Sequence, residues 1–88
     1  MLSVIIPTYN EKINITILIG RIEEVLSKNE IPFEIIVVDD DSPDLTWQVV
    51  EELVLTKPHV RLYRRVNQRG LSSAVIQGLS QAKGDYLA

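Results

Sequence analysis

The run Ile35-Ile36-Val37-Val38-Asp39-Asp40-Asp41-Ser42-Pro43-Asp44 constrains this chain more than any other stretch. Four consecutive apolar residues read as a buried strand, of the kind found in parallel sheets covered by helices. The strand stops abruptly on three carboxylates and a turn. In an open parallel sheet, ligands bind in the crevice beyond the carboxyl ends of the strands, so the acids stand where such a fold does its binding. Adjacent like charges repel, and a purely structural loop has little use for three of them. The hydrogen-bond donors of a ligand, or a cation, account for the cluster better.

The rest of the chain alternates between two periods. Residues 2–6 are a short apolar run, stopped by Pro7 and the polar turn Thr8-Tyr9-Asn10-Glu11. Ile15, Leu18, Ile19, Ile22, Val25 and Leu26 then recur at helical spacing, with Asn14 as the expected N-cap. Pro32 precedes the strand at 33–38. Ser42-Pro43-Asp44 reads as the start of a second helix, with Ser as cap and an acid near the positive dipole end. Pro58 closes that helix and 60–63 is a third strand. Leu71, Ala74, Val75, Gly78, Leu79 and Ala82 form a third helical stripe, with Gly84 expected at C′ and a fourth strand from Asp85. The order β-α-β-α-β-α-β, with long crossovers, predicts an α/β fold. It is a three-layer, doubly wound, mostly parallel sheet, the Rossmann-like half of a nucleotide-binding domain.

Composition narrows the function classes. The chain has 88 residues, 45% hydrophobic and 24% charged, which makes it one small globular domain rather than a disordered segment. A net charge of −3 speaks against nucleic acid as the partner. The absence of cysteine removes disulfides, thiolate metal sites and a Cys nucleophile. No stretch has the form of a signal peptide or the ~18 apolar residues of a membrane span. The expected location is cytoplasmic, peripheral at most on the cytoplasmic face of a membrane.

Three motifs in order carry a resemblance: Ser3-Val4-Ile5-Ile6-Pro7-Thr8-Tyr9-Asn10-Glu11, then Val37-Val38-Asp39-Asp40-Asp41-Ser42-Pro43-Asp44, then Gly70-Leu71-Ser72-Ser73-Ala74 with Gly78-Leu79 and Ala82-Lys83-Gly84-Asp85. Together they resemble family 2 glycosyltransferases of the GT-A fold, and among these the archaeal type of dolichol-phosphate mannosyltransferase. The resemblance implies inverting transfer of mannose from GDP-mannose to a polyprenyl phosphate, with Mg²⁺ or Mn²⁺ as cofactor. It implies that Pro7, Tyr9 and Glu11 contact the nucleoside, and that Val38 and Asp40 hold the base. In that family an Asp-X-Asp motif follows the Gly-Asp strand and holds the metal. Residues 1–88 are therefore expected to be the nucleotide-sugar-binding part, truncated before that motif, inactive alone and without metal ligands.

Asp39 is expected to orient the loop at the edge of the same site. Arg69, with Arg64 and Arg65, is a candidate for the diphosphate near the helix that starts after Gly70; a solvated basic face accounts for these arginines equally well. Asp41 and Asp44 serve the turn and the helix dipole, Gly78 and Trp47 serve packing, and His59 has no assigned role. Two rivals stay open. A haloacid-dehalogenase-type phosphatase also sets acids two apart after a strand, though Pro43 and the missing Lys speak against it. A receiver-like signalling module gathers acids at strand ends, but after its first strand. Ending within a strand leaves an edge whose unpaired N–H and C=O groups favour a homo-oligomer.

Overall fold

The computed structural model describes residues 1–68, 70–84 and 86–87, the last two as strand backbone only. The elements run β1 (Leu2–Thr8), α1 (Lys12–Lys28), β2 (Phe33–Asp39), α2 (Thr46–Thr56), β3 (Val60–Arg64), α3 (Leu71–Gln81) and β4 (Tyr86–Leu87). All pairings are parallel, in the order β3-β2-β1-β4. The expected architecture is the one found. Among the described residues, no helix is long and apolar enough to cross a membrane.

Alternation along β2 divides the core into two layers. Ile35 and Val37 face one side and pack with Ile15 and Ile19 of α1 and Val50 of α2. Ile36 and Val38 face the other side, where Ala74 of α3 covers them. All four β2 residues are completely buried, as a strand covered on both faces requires. Gly78 lets α3 press onto β1, since a Cβ there would collide with the side chain of Ile5.

Several boundaries differ from the sequence expectation. Strand β1 runs through Pro7 to Thr8, because Thr8 C=O turns toward β2 to accept Asp40 N–H (3.2 Å). Pro7 therefore points its missing donor away from β2, where the ladder does not need it. Helix α1 starts at Lys12, not after Asn14, and Glu11 C=O accepts from Asn14 N–H and Ile15 N–H. Helix α2 starts at Thr46 behind Leu45, which is left-handed at φ 68°, so Ser42 is not its cap. Helix α3 ends at Gln81, and Gly84 is not its C′ residue. It is a close-approach glycine instead: a Cβ would lie 2.6 Å from Met1 O and 2.9 Å from Ser3 N. Strand β4 was expected at 85–88; of these, Asp85 and Ala88 lie outside the described residues.

Glu34 ties the far end of the sheet together. Its carboxylate accepts from Ser3 Oγ (2.6 Å), Lys83 N–H (2.7 Å) and Arg61 Nη2 (2.5 Å). Gly84 N–H in turn donates to Ser3 Oγ (2.8 Å). On the opposite face Glu23 of α1 takes Lys57 Nζ (2.7 Å) and pairs with His59, so the histidine without an assigned role fastens α1 to the loop before β3. Burial alone would raise the Glu34 carboxyl, but the bonds from Ser3, Lys83 and Arg61 outweigh it and hold it below its ordinary value of 4.5. A carboxyl held low in the fold binds fewer protons than the unfolded chain does. Its stabilisation is complete above 4.5 and is lost as pH falls through the lower folded value. Glu34→Gln should therefore lower unfolding free energy at neutral pH by about 1–3 kcal/mol and flatten the acid limb. Urea melts across a pH series measure both, and an unchanged acid limb would contradict this role.

Candidate functional site

Register builds the site. Thr8 of β1, Asp39 of β2 and Arg64 of β3 are aligned neighbours at the carboxyl ends of their strands. Residues aligned across parallel strands project to the same face, so Thr8 and Asp39 meet on the α1/α2 side. One residue on, Arg65 N–H donates to Asp39 C=O (2.8 Å), which continues the ladder. That step places Asp40 and Arg65 side by side on the α3 face.

Asp39 is fully buried, and among the described residues its partners are neutral donors. Thr8 Oγ1 (2.6 Å) and Ser42 Oγ (2.7 Å) donate to Oδ1, and Ser42 N–H (2.9 Å) to Oδ2. Ser42 Oγ then accepts from Asn10 N–H (2.9 Å). The neighbouring loop residues cap α1 from across the sheet: Thr46 Oγ1 accepts Glu11 N–H (3.0 Å) and Asp44 Oδ2 accepts Lys12 N–H (3.1 Å). Weak burial works against ionisation of Asp44, but bonds from Thr46 and Lys12 N–H outweigh it and hold its carboxyl below the ordinary range. Asn10 (φ 56°), Asp41 (φ 51°) and Leu45 (φ 68°) are left-handed here. Asn and Asp tolerate that conformation, and such outliers gather at functional loops.

Asp40 makes the strongest interaction of the site. Arg65 Nε (2.6 Å) and Nη2 (3.0 Å) grip its two oxygens as a fork, and Gly70 N–H (3.2 Å) adds a third donor. Arg65 also reaches Ser73 Oγ (3.0 Å) and Gly70 C=O (3.2 Å). Asp40 is 7% exposed and Arg65 4%. The bonds to Asp40 hold the guanidinium above its ordinary pKa, against the opposing pull of burial. Beside this pair opens a cavity of about 300 Å³ lined by Pro7, Thr8, Tyr9, Asp40, Gly70 and Leu71.

Three expected site residues, Pro7, Tyr9 and Asp40, thus share one cavity. Glu11 lies in an adjoining depression that shares Pro7 and Thr8 with it. Val38 is wholly within the core under α3, so its side chain does not face the cavity. The Asp39 carboxylate is buried in the network that holds the loop after β2. Arg69 lies outside the described residues. Arg64 is exposed, pairs with Asp41 (2.6 Å) and stacks 3.6 Å over the Trp47 ring. Trp47 packs as the platform under the Arg64 guanidinium.

Thr8, Ser42, Thr46 and Ser73 were missed from the sequence. Their hydroxyls are ordinary turn residues locally, and only the pairing of distant strands reveals their partners. The acids do not fit a divalent metal. Among the described residues no three His, Cys, Asp or Glu side chains converge on a point. Asp39, Asp40, Asp41 and Asp44 each have protein donors.

Residues 3–88 match the glycosyl transferase family 2. The chain is 52% identical over 83 residues to dolichol-phosphate mannosyltransferase of Pyrococcus furiosus, covering 94% of this chain and 23% of that protein. It is 44% identical over 90 residues to the Saccharomyces cerevisiae protein of the same name, covering 97% of this chain and 32% of the relative. It therefore spans 23% and 32% of the length of these two proteins. Among solved structures, Staphylococcus aureus TarS (residues 1–349) superposes with a TM-score of 0.77 at 36% identity, over 98% of this chain and 25% of that one. The mannosyltransferase PcManGT from Pyrobaculum calidifontis, in complex with GDP-Man and Mn2+, superposes with a TM-score of 0.70 at 30% identity, over 98% and 25%.

Asp39→Ala should leave Thr8 and Ser42 hydroxyls without an acceptor inside the fold. The expected loss is about 3 kcal/mol of unfolding free energy, read as a lower urea midpoint at unchanged slope. An unaltered midpoint would show that the network is decorative.

Proposed function

The chain belongs to glycosyl transferase family 2, and from that premise we propose that it forms the nucleotide-binding part of a mannosyltransferase that uses GDP-mannose. The observation that carries this reading is the cavity at the strand ends, where a proline, an aromatic ring and a buried carboxylate converge beside a glycine-led helix. The phosphatase and receiver readings give way to the family match, which runs in order through all three motifs.

Each residue has a task that its chemistry suits. Tyr9 offers a ring face to the nucleoside, and Pro7 shapes the wall beneath it. Asp40 accepts a base N–H, a charge-assisted bond of the stronger kind. Glu11 accepts from the nucleoside at the rim, Asp39 sets the loop that carries these groups, and Arg69 is proposed for the diphosphate. In the transfer step, an oxygen of a polyprenyl phosphate attacks the anomeric carbon. The new C–O bond forms as the bond to GDP breaks, the electron pair leaves with the diphosphate, and the configuration inverts. When bound, Mg²⁺ or Mn²⁺ supplies charge neutralisation for that leaving group; no donor set for it is present among the described residues. A lipid acceptor and a nucleotide donor place the work at the cytoplasmic face of a membrane.

We also propose self-association. Ile13, Ile17, Leu18 and Val25 of α1 are exposed, and a groove of about 350 Å³ is walled by Leu2, Val4, Ile22, Val25 and Leu26 together with Arg21. Surface of this kind is costly in a small monomer. Sedimentation across a concentration series should show a dimer or larger species; a monomer that persists at high micromolar concentration would rule it out.

Calorimetric titration with GDP tests the nucleotide reading. Asp40→Asn should bind about 1.5–3 kcal/mol more weakly than wild type while keeping a cooperative melt. Equal affinity for the two proteins, or no binding by wild type at millimolar GDP, would overturn the assignment.

A further inference from the structure

A carboxylate has about four acceptor positions. At Asp40 three are taken by protein donors: Arg65 Nε at Oδ1, with Arg65 Nη2 and Gly70 N–H at Oδ2. The carboxylate borders the cavity all the same. Among the described residues' donors, one acceptor position is left over, and its direction is set by the plane in which the guanidinium holds the carboxylate.

Resting on the nucleotide-binding reading above, we infer that Arg65 is the positioning residue for base recognition. It aims the one remaining lone pair of Asp40 at the base, and it does not touch the diphosphate. Three features argue for this role over a phosphate contact. Arg65 is almost wholly buried, so its charge is not offered to an anion. Both edges of its fork have partners, Asp40 on one and Ser73 with Gly70 on the other. It also joins the ends of β2 and β3 to the first turn of α3, the elements that bring Asp40 and Gly70 into the cavity wall. A lysine supplies the same charge but no planar fork, so it would neutralise Asp40 without fixing its plane.

The test compares GDP with ribose 5-diphosphate, which lacks the base, in the full chain and in Arg65→Lys. The preference for GDP over the baseless diphosphate should fall roughly tenfold in the variant, as loss of one charge-assisted bond implies. Affinity for the baseless ligand should be unchanged. A variant that weakens both ligands by the same factor would show that Arg65 only stabilises the fold. If Arg65→Lys does not fold, the wild-type Arg65 Nε–H resonance decides. It should shift on saturation with GDP and stay in place with ribose 5-diphosphate, and a resonance unmoved by GDP overturns the inference. Wild type that binds neither ligand defeats the functional reading itself. Wild type that binds GDP while Arg65→Lys keeps its base preference defeats only the role given to Arg65.

Discussion

A buried carboxylate held by neutral donors is the constraint on which the rest of this structure depends. Asp39 sits at the end of the central strand, where an ionised group is costly unless its oxygens are saturated. Hydroxyls from Thr8 and Ser42 and the Ser42 amide meet that demand. In doing so they lock the ends of β1 and β2 to the loop that follows. Because Thr8 and Asp39 are aligned in the sheet, the bond also fixes register. A one-residue slip would turn Asp39 to the other face and put Asp40 in its place.

The two adjacent acids divide their work by facing opposite ways. Asp39 looks toward α1 and α2 and organises the loops; Asp40 looks toward α3 and is held by a cation at the cavity. Such a division is what a period of two imposes on consecutive residues of a strand. It turns what reads as a repulsive cluster into three separate neutral or paired environments, with Asp41 directed outward to Arg64.

Much of this was legible in the sequence. The apolar run at 35–38 and the helical stripes give the order of elements, and the parallel topology follows from crossover length and handedness. The position of Pro7, Tyr9 and Asp40 at one site follows from the rule that strand ends carry ligands. What could not be read were features created by non-local pairing. Ser42 and Asn14 look like caps because capping is judged from adjacent residues, whereas here the caps of α1 come from Thr46 and Asp44, more than thirty positions away. Arg65 looked like one of three equivalent basic residues, and only the alignment of β2 with β3 singles it out as the partner of Asp40. Val38 closes the apolar run that reads as a buried strand, and its side chain lies in the core under α3.

The capping of α1 by a distant loop has a consequence for how such a site can change. The first amides of α1 find their acceptors on residues 44 and 46, and those acceptors are set by the turn after Asp39. Loops that carry function ordinarily vary freely because their backbone answers to solvent. This one answers to a helix. An inserted or deleted residue between 40 and 46 would move both caps and leave the start of a 17-residue helix with unmet donors. Altered ligand preference is therefore open to side-chain replacement at the cavity and closed to changes of loop length, so descendants of this sequence can diversify at the site only by exchanging residues one for one.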